Sequence, residues 1–133
     1  MISSVARQRA VELLDAVGIP DPVRMAGEYP HRFSGGMRER ALIATALACR
    51  PNLLIADEPT KGLDAVTKRG IVDLFSEIDR DHSVLFITHD IETAGDLATR
   101  VAVMYAGEIV EIGGAEEVLG DPAHPYTRGL LAS

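Results

Sequence analysis

Two short stretches end in side chains that can do chemistry together. "LLIADEPT" carries Asp57 and Glu58, and "LFITHD" closes on His89 and Asp90. An acid at the end of a strand can hold Mg²⁺ directly or through water, and a neighbouring acid can orient or deprotonate an attacking water. A histidine reaching the same point can stabilise charge developing on a terminal phosphate. A third stretch, "FSGGM", places Ser34, Gly35 and Gly36 just before the helix-forming run "RERALIATALAC". Ser34 suits a helix N-cap, and glycine amides at the positive end of a helix dipole form an anion site that no Cβ obstructs. The chemistry that wants all three is phosphoryl transfer.

Each stretch also has a plainer reading. Ser-Gly-Gly before a helix is usually a cap and turn, and a strand ending in Asp-Glu is commonly a solvated terminus. His89 alone reads as a structural hydrogen-bonding histidine, as do His31, His82 and His124, and Asp90 alone reads as the N-cap of the helix after it. Taken singly these readings win. The order of the three stretches, at two strand ends and one helix start, is what favours phosphate chemistry.

The elements that must position these residues alternate. "VARQRAVELLDAVGI" predicts a helix with Val5, Val11, Leu14 and Val17 on one face, ending at Gly18. A polar, proline-containing linker, "PDPVRMAGEYPHR", follows, and then a helix from "FSGGM" to Cys49, stopped by Pro51. Cys49 is expected as a small buried apolar side chain. "NLLIAD" and "SVLFITHD" read as strands buried on both faces of a parallel sheet. Between them "VTKRGIVDLFSEIDR" predicts an amphipathic helix facing inward with Val66, Ile71, Leu74, Phe75 and Ile78. "IETAGDLAT" reads as a further helix, and "VAVMYAGEIVEIG" as a hairpin turning at Ala106-Gly107. The fold class is therefore α/β, a parallel sheet flanked by helices with a terminal β-hairpin. In such sheets ligands gather at the carboxyl ends of the strands, where Asp57, Glu58 and His89 fall.

Composition bounds the partners. The chain has 133 residues, 47% apolar and 25% charged, enough for one globular unit with a core. A net charge of −7 without a Lys/Arg cluster disfavours nucleic acid or an anionic membrane as the main partner. The run "ALIATALAC" is too short to span a bilayer, and "MISSVARQRAVELL" has no signal-peptide hydrophobic region. The single cysteine excludes an internal disulfide and a cysteine-built metal cluster.

"FSGGMRER", "LLIADEPTKGLD" and "LFITHD" together resemble the signature motif, the Walker B strand with its D-loop, and the switch histidine of ABC-type ATPases. The tail "VAVMYAGEIVEIGGAEEVLGDPAHPYTRGLLAS", with its "HPYT", is similar to the ATP-binding subunits of oligopeptide, dipeptide and nickel importers. The resemblance implies the C-terminal portion of a P-loop NTPase domain over residues 1–133. Residues 1–50 would be its signature-bearing helical part, and 51–133 the Walker B, D-loop and switch-histidine part with an importer-type tail. It implies ATP and Mg²⁺ as cofactors. Ser34, Gly35 and Gly36 would touch the terminal phosphate of ATP bound mainly by the opposite subunit. Asp57 would stand in the Mg²⁺ shell, Glu58 would be the general base, His89 would contact the terminal phosphate, and Asp64 would lie at the dimer interface. The implied partners are a second ABC ATPase subunit, in a homo- or heterodimer, and transmembrane permease subunits. The implied location is cytoplasmic, peripheral on the inner face of the cell membrane.

The chain departs from the family pattern in places. No GxxxxGK[ST] loop occurs, and the family's glutamine-bearing strand is missing; both are expected N-terminal to Met1. Lys61 and Gly62 stand where importers more often have a small polar residue and alanine, and Met37 replaces the glutamine of many signatures. Because that loop supplies most of the direct hold on a triphosphate, the isolated chain is expected to be inactive alone. Two alternatives stay open: a non-transport ABC-type ATPase, and a truncated accessory half that does not hydrolyse ATP.

Overall fold

The computed structural model describes residues 4–132. The chain divides into two compact units, one reaching to Leu85 and the other starting at Phe86.

The first unit opens with α1 (Ser4–Ala16). The helix stops where Gly18 adopts φ 73°. There the Gly18 amide donates to Asp15 O (2.8 Å) and the Ile19 amide to Leu14 O (2.9 Å), a Schellman closure that needs a left-handed residue. Val17 and Ile19 are buried just past this end, whereas Val5 is 75% exposed, so the expected inner face is confined to the C-terminal end of the helix. The linker holds two short helices that were not expected, α2 (Pro22–Met25) and a 3-10 turn over Pro30–Arg32. Both begin at proline, whose fixed φ suits a first helical position. Helices this short carry no periodicity to read.

The next helix, α3 (Gly35–Leu47), is capped by Ser34, whose Oγ accepts from the Met37 amide at 3.2 Å. It ends before Cys49, which is exposed in the following turn rather than buried. Arg50, at φ 49°, reverses the chain ahead of Pro51.

Strand β1 (Leu53–Asp57) pairs with β2 (Ser83–Ile87) through the crossover helix α4 (Ala65–Ile78), which makes the sheet parallel. The two strands start together. Ser83 donates its amide to Asn52 O (3.0 Å), and His82 Nδ1 lies 2.6 Å from Pro51 O. Helix α4 carries much of this unit's core, with Ile71, Val72, Leu74, Phe75 and Ile78 all buried. Burial of side chains this size contributes roughly 1.5–3 kcal/mol each. Val66 is 83% exposed, contrary to expectation, because it lies in the first turn beside the cap.

Strand β1 alternates: Leu54 and Ala56 are buried, while Leu53 and Ile55 are 52% and 60% exposed. An all-apolar run fits a strand covered on both sides, but it cannot supply the second covering layer. Among the described residues only one face of β1 is covered.

The second unit contains α5 (Ile91–Leu97), β3 (Arg100–Tyr105), β4 (Glu108–Gly114), α6 (Ala115–Gly120) and α7 (Pro125–Leu131). β3 and β4 form the expected hairpin, as a two-stranded sheet of their own. Its turn has positive φ at both Ala106 (51°) and Gly107 (84°), the type I′ geometry that matches strand twist. A bulge shifts the register between Val103 and Met104.

The "HPYT" stretch has a structural role here. His124 Nδ1 accepts from the Tyr126 amide (3.1 Å) and so caps α7. Glu111 on β4 accepts from the amides of Ala123 (2.7 Å) and His124 (3.2 Å), and Tyr126 packs on Tyr105 with ring centroids 4.4 Å apart. The Thr127 hydroxyl first, then the two amides and the His124 ring, hold the Glu111 carboxyl below its ordinary value. No helix among the described residues is long and apolar enough to cross a membrane.

Candidate functional site

The Ser-Gly-Gly turn lies against the start of α4. A methyl group built on Gly36 would collide with the Thr67 Cγ2 methyl, while one on Gly35 would rest 3.6 Å from Leu63 Cδ2. Gly36 is buried and Gly35 exposed. A close neighbour does require a bare backbone at Gly36, and that neighbour belongs to the chain itself.

Asp64 caps α4. Its Oδ1 accepts from the amides of Val66 (3.1 Å) and Thr67 (3.0 Å), and its Oδ2 accepts from Thr67 Oγ1 (2.6 Å). These bonds favour the charged form, with the Thr67 hydroxyl foremost, and hold the carboxyl below the usual aspartate value.

Asp57 is exposed at the carboxyl end of β1, and Glu58 follows with φ 51°. A left-handed backbone costs a non-glycine residue about 1–2 kcal/mol. From Glu58 the chain reaches Asp64 through two successive turns, Lys61 N to Glu58 O (3.0 Å) and Leu63 N to Thr60 O (3.3 Å). Gly62 takes φ 74° within them, which accounts for glycine at that departure from the importer pattern.

Sequence reasoning passed over Arg40. From α3 its guanidinium donates to Val17 O past the end of α1 (2.5 Å) and to Gly70 O on α4 (2.9 Å). A methyl on Gly70 would lie 2.8 Å from Arg40 Nη2, so Gly70 leaves room for this contact. Nothing in the charged run "RER" marks one arginine as the tie between three helices. One position earlier, partial burial pushes the Glu39 carboxyl above its ordinary value.

With these positions set, comparison with known proteins places the sequence. Residues 4–61 match the ABC transporter family. The matched stretch includes Ser34, Gly35, Gly36, Asp57 and Glu58 and stops short of Asp64. The chain is 55% identical over 130 residues to the oligopeptide transport ATP-binding protein OppD of Bacillus subtilis, covering 96% of this chain and 36% of that protein. It is 51% identical over 135 residues to the dipeptide transport ATP-binding protein DppD of the same organism, covering 100% of this chain and 40% of that one. The chain thus spans two fifths or less of these relatives' lengths. Its fold is similar to a solved structure described as an inward-facing conformation of a metal-chelate type ABC transporter. The TM-score is 0.79 at 25% identity, over 90% of this chain and 47% of that one. The α/β arrangement, with a small parallel sheet and a terminal hairpin, is consistent with a partial P-loop NTPase domain and similar to that solved ABC transporter structure.

The first unit brings Ser34–Gly36 and Leu63–Thr67 into contact and joins both to Asp57-Glu58 through the turns after β1. His89 is exposed in the second unit, next to Asp90, which caps α5 by accepting from the Thr93 amide (3.1 Å). The plain reading of Asp90 therefore holds. So do those of His82, against Pro51 O, and His124, against the Tyr126 amide, while His31 stacks on Tyr29 with ring centroids 5.8 Å apart.

Among the described residues no group of three His, Cys, Asp or Glu side chains converges to hold a metal. Mg²⁺ suits such a place, because it is normally held by one or two carboxylates with water and phosphate oxygens completing the shell. The exposed Asp57 with Glu58 beside it fits that requirement.

Proposed function

We propose that the chain is part of an ATP-binding subunit that powers an ABC-type importer of peptides. Ser34, Gly35 and Gly36 complete the ATP site of the opposite subunit, Asp57 stands in the Mg²⁺ shell, and Glu58 acts as general base on the attacking water. His89 contacts the terminal phosphate, and Asp64 lies at the dimer interface. ATP with Mg²⁺ supplies the phosphoryl group and its charge neutralisation. The chain's own residues position water and accept its proton at Glu58. The partners are a second ATPase subunit and transmembrane permease subunits at the inner face of the membrane. The observation that carries this reading is the 55% identity to an oligopeptide transport ATP-binding protein across nearly the whole chain. The acidic pair at the end of β1 and the capped turn at Ser34 support it chemically. The names of the relatives favour peptide over nickel as cargo.

Without a GxxxxGK[ST] loop the chain holds triphosphate only from one side, and it is inactive by itself. The test is calorimetry with a non-hydrolysable ATP analogue and Mg²⁺ for binding, and phosphate release from ATP and Mg²⁺ for turnover, on the chain alone and mixed with an ABC subunit that has an intact loop but a disabled signature. The expected result is no binding alone up to ~1 mM, an affinity weaker than about −4 kcal/mol, and turnover only in the mixture, abolished by Gly35→Asp in this chain's Ser34–Gly36 turn. Tight binding by the chain alone, or a mixture as inactive as its parts, would sink this assignment.

A further inference from the structure

The contact between the starts of α3 and α4 depends on very few atoms. Among the described residues, the Thr67 Cγ2 methyl is what stands in the way of a side chain at Gly36; from the same built Cβ, Thr67 Cβ is 3.7 Å away and Oγ1 3.9 Å, both ordinary contacts. That methyl cannot swing aside freely. Threonine is branched at Cβ, so turning Cγ2 away also moves Oγ1, which is bonded to Asp64 Oδ2 at 2.6 Å. The same carboxylate holds the amides of Val66 and Thr67, and Leu63, the residue before it, meets Gly35 along the same seam. A displacement of the Ser34–Gly36 turn therefore has a short, stiff route to Asp64: Gly36 backbone, Thr67 methyl, Thr67 hydroxyl, Asp64 carboxylate.

We propose that Thr67 is a positioning residue that locks the Ser34–Gly36 turn to the Asp64 loop within one chain, and that position 36 is glycine because Thr67 fills the space of its side chain. On the functional reading above, on which this rests, Ser34–Gly36 faces one ATP while Asp64 faces the subunit interface. Thr67 then makes the position of one depend on the position of the other. It touches no substrate and acts through Asp64 and Gly36.

A size swap tests the lock on the whole chain. Gly36→Ala, Thr67→Ser and the double variant are compared with the parent by thermal midpoint and by hydrogen exchange at the Val66 and Thr67 amides. Gly36→Ala is expected to lower the midpoint by about 4 °C or more and to speed exchange at both amides at least several-fold. Thr67→Ser keeps the hydroxyl and removes the obstructing methyl, so it should rescue Gly36→Ala to the level of the Thr67→Ser single variant. Should Gly36→Ala leave midpoint and exchange unchanged, or should Thr67→Ser fail to rescue it, the proposal is overturned.

A fourth variant covers the case in which Gly36→Ala does not fold. Thr67→Val keeps the bulk but loses the hydroxyl, and it should raise the Asp64 titration midpoint seen by carboxyl NMR; an unmoved midpoint also overturns the lock. None of these readouts uses nucleotide. Loss of the ATP assignment would therefore leave the lock measured, and loss of the lock would leave the ATP assignment standing.

Discussion

Arg40→Ala is the perturbation whose size can be worked most directly from the structure. The guanidinium makes two hydrogen bonds to backbone carbonyls, 2.5 Å to Val17 O and 2.9 Å to Gly70 O. Bonds from a charged donor are worth about 1.5–3 kcal/mol each. The side chain is only half-buried, and Gly70 lies inside a helix where its carbonyl has a backbone donor of its own, so the second bond belongs at or below the low end. Val17 O, past the end of α1, has more to lose. With the packing of the aliphatic stem included, the expected loss is about 3 kcal/mol. Urea unfolding followed by circular dichroism should show the midpoint falling with an unchanged slope, and a melting temperature roughly 10 °C lower. Arg40→Lys, with one compact ammonium in place of a fork, should recover about half of the loss at most. Arg40→Met keeps the stem and isolates the polar part. If Arg40→Ala costs less than about 0.5 kcal/mol, the range of a surface substitution, then water replaces the guanidinium freely and the three-helix tie is not structural.

Three further outcomes are expected. Glu111→Gln should destabilise the chain at neutral pH. The folded carboxyl titrates below its unfolded value of about 4.3, so the stability it supplies is present above that value. The gap between the two proteins should then close as pH falls through the depressed folded pKa, and a gap that persists in acid would contradict this. Glu39→Gln should act in the opposite sense, because desolvation raises the carboxyl and the charged form opposes folding as pH rises past about 4.3. The variant should gain a few tenths of a kcal/mol near pH 7, the effect being small on a largely solvated group, and should match the parent in acid; equal midpoints near pH 7 would remove the desolvation argument. Ile55→Lys, on the bare face of β1, should leave the folding midpoint within about 0.5 kcal/mol while reducing light scattering at high concentration. Unchanged scattering would mean that this face does not drive association.

What could be read in advance was whatever rests on local chemistry. The Ser34 and Asp90 caps, the Ala106-Gly107 turn and the alternation of strand and helix follow from side chains acting within a few residues of themselves. Asp64 was picked out by resemblance, yet the reason it holds its place is the same short-range capping. What could not be read depends on partners distant in sequence. Arg40 reaches 23 residues back and 30 forward to its two carbonyls, and no pattern within "RER" announces either. Gly36 was expected to be bare for a phosphate, but the structure also sets a threonine against it 31 positions later. The apolar runs of β1 and β2 promised two covered faces, because hydropathy reports how apolar a surface is and not what covers it. Exposed Val66 and Cys49 failed in a related way: each lies at a helix end, where periodicity no longer determines burial.

Glu58 is held at φ 51°, a conformation that glycine adopts without penalty. A glycine at this position would relieve about 1–2 kcal/mol of backbone strain, offset in part by about 0.4–1 kcal/mol of added unfolded-chain entropy. The sequence forgoes that relief and keeps a carboxylate at the end of β1. Position 58 is therefore one where two requirements can be weighed against each other: Glu58→Gly should melt higher than Glu58→Ala and, on the proposed chemistry, be equally dead. A residue that makes its own fold less stable is an economical marker of where a protein is built to act rather than to last.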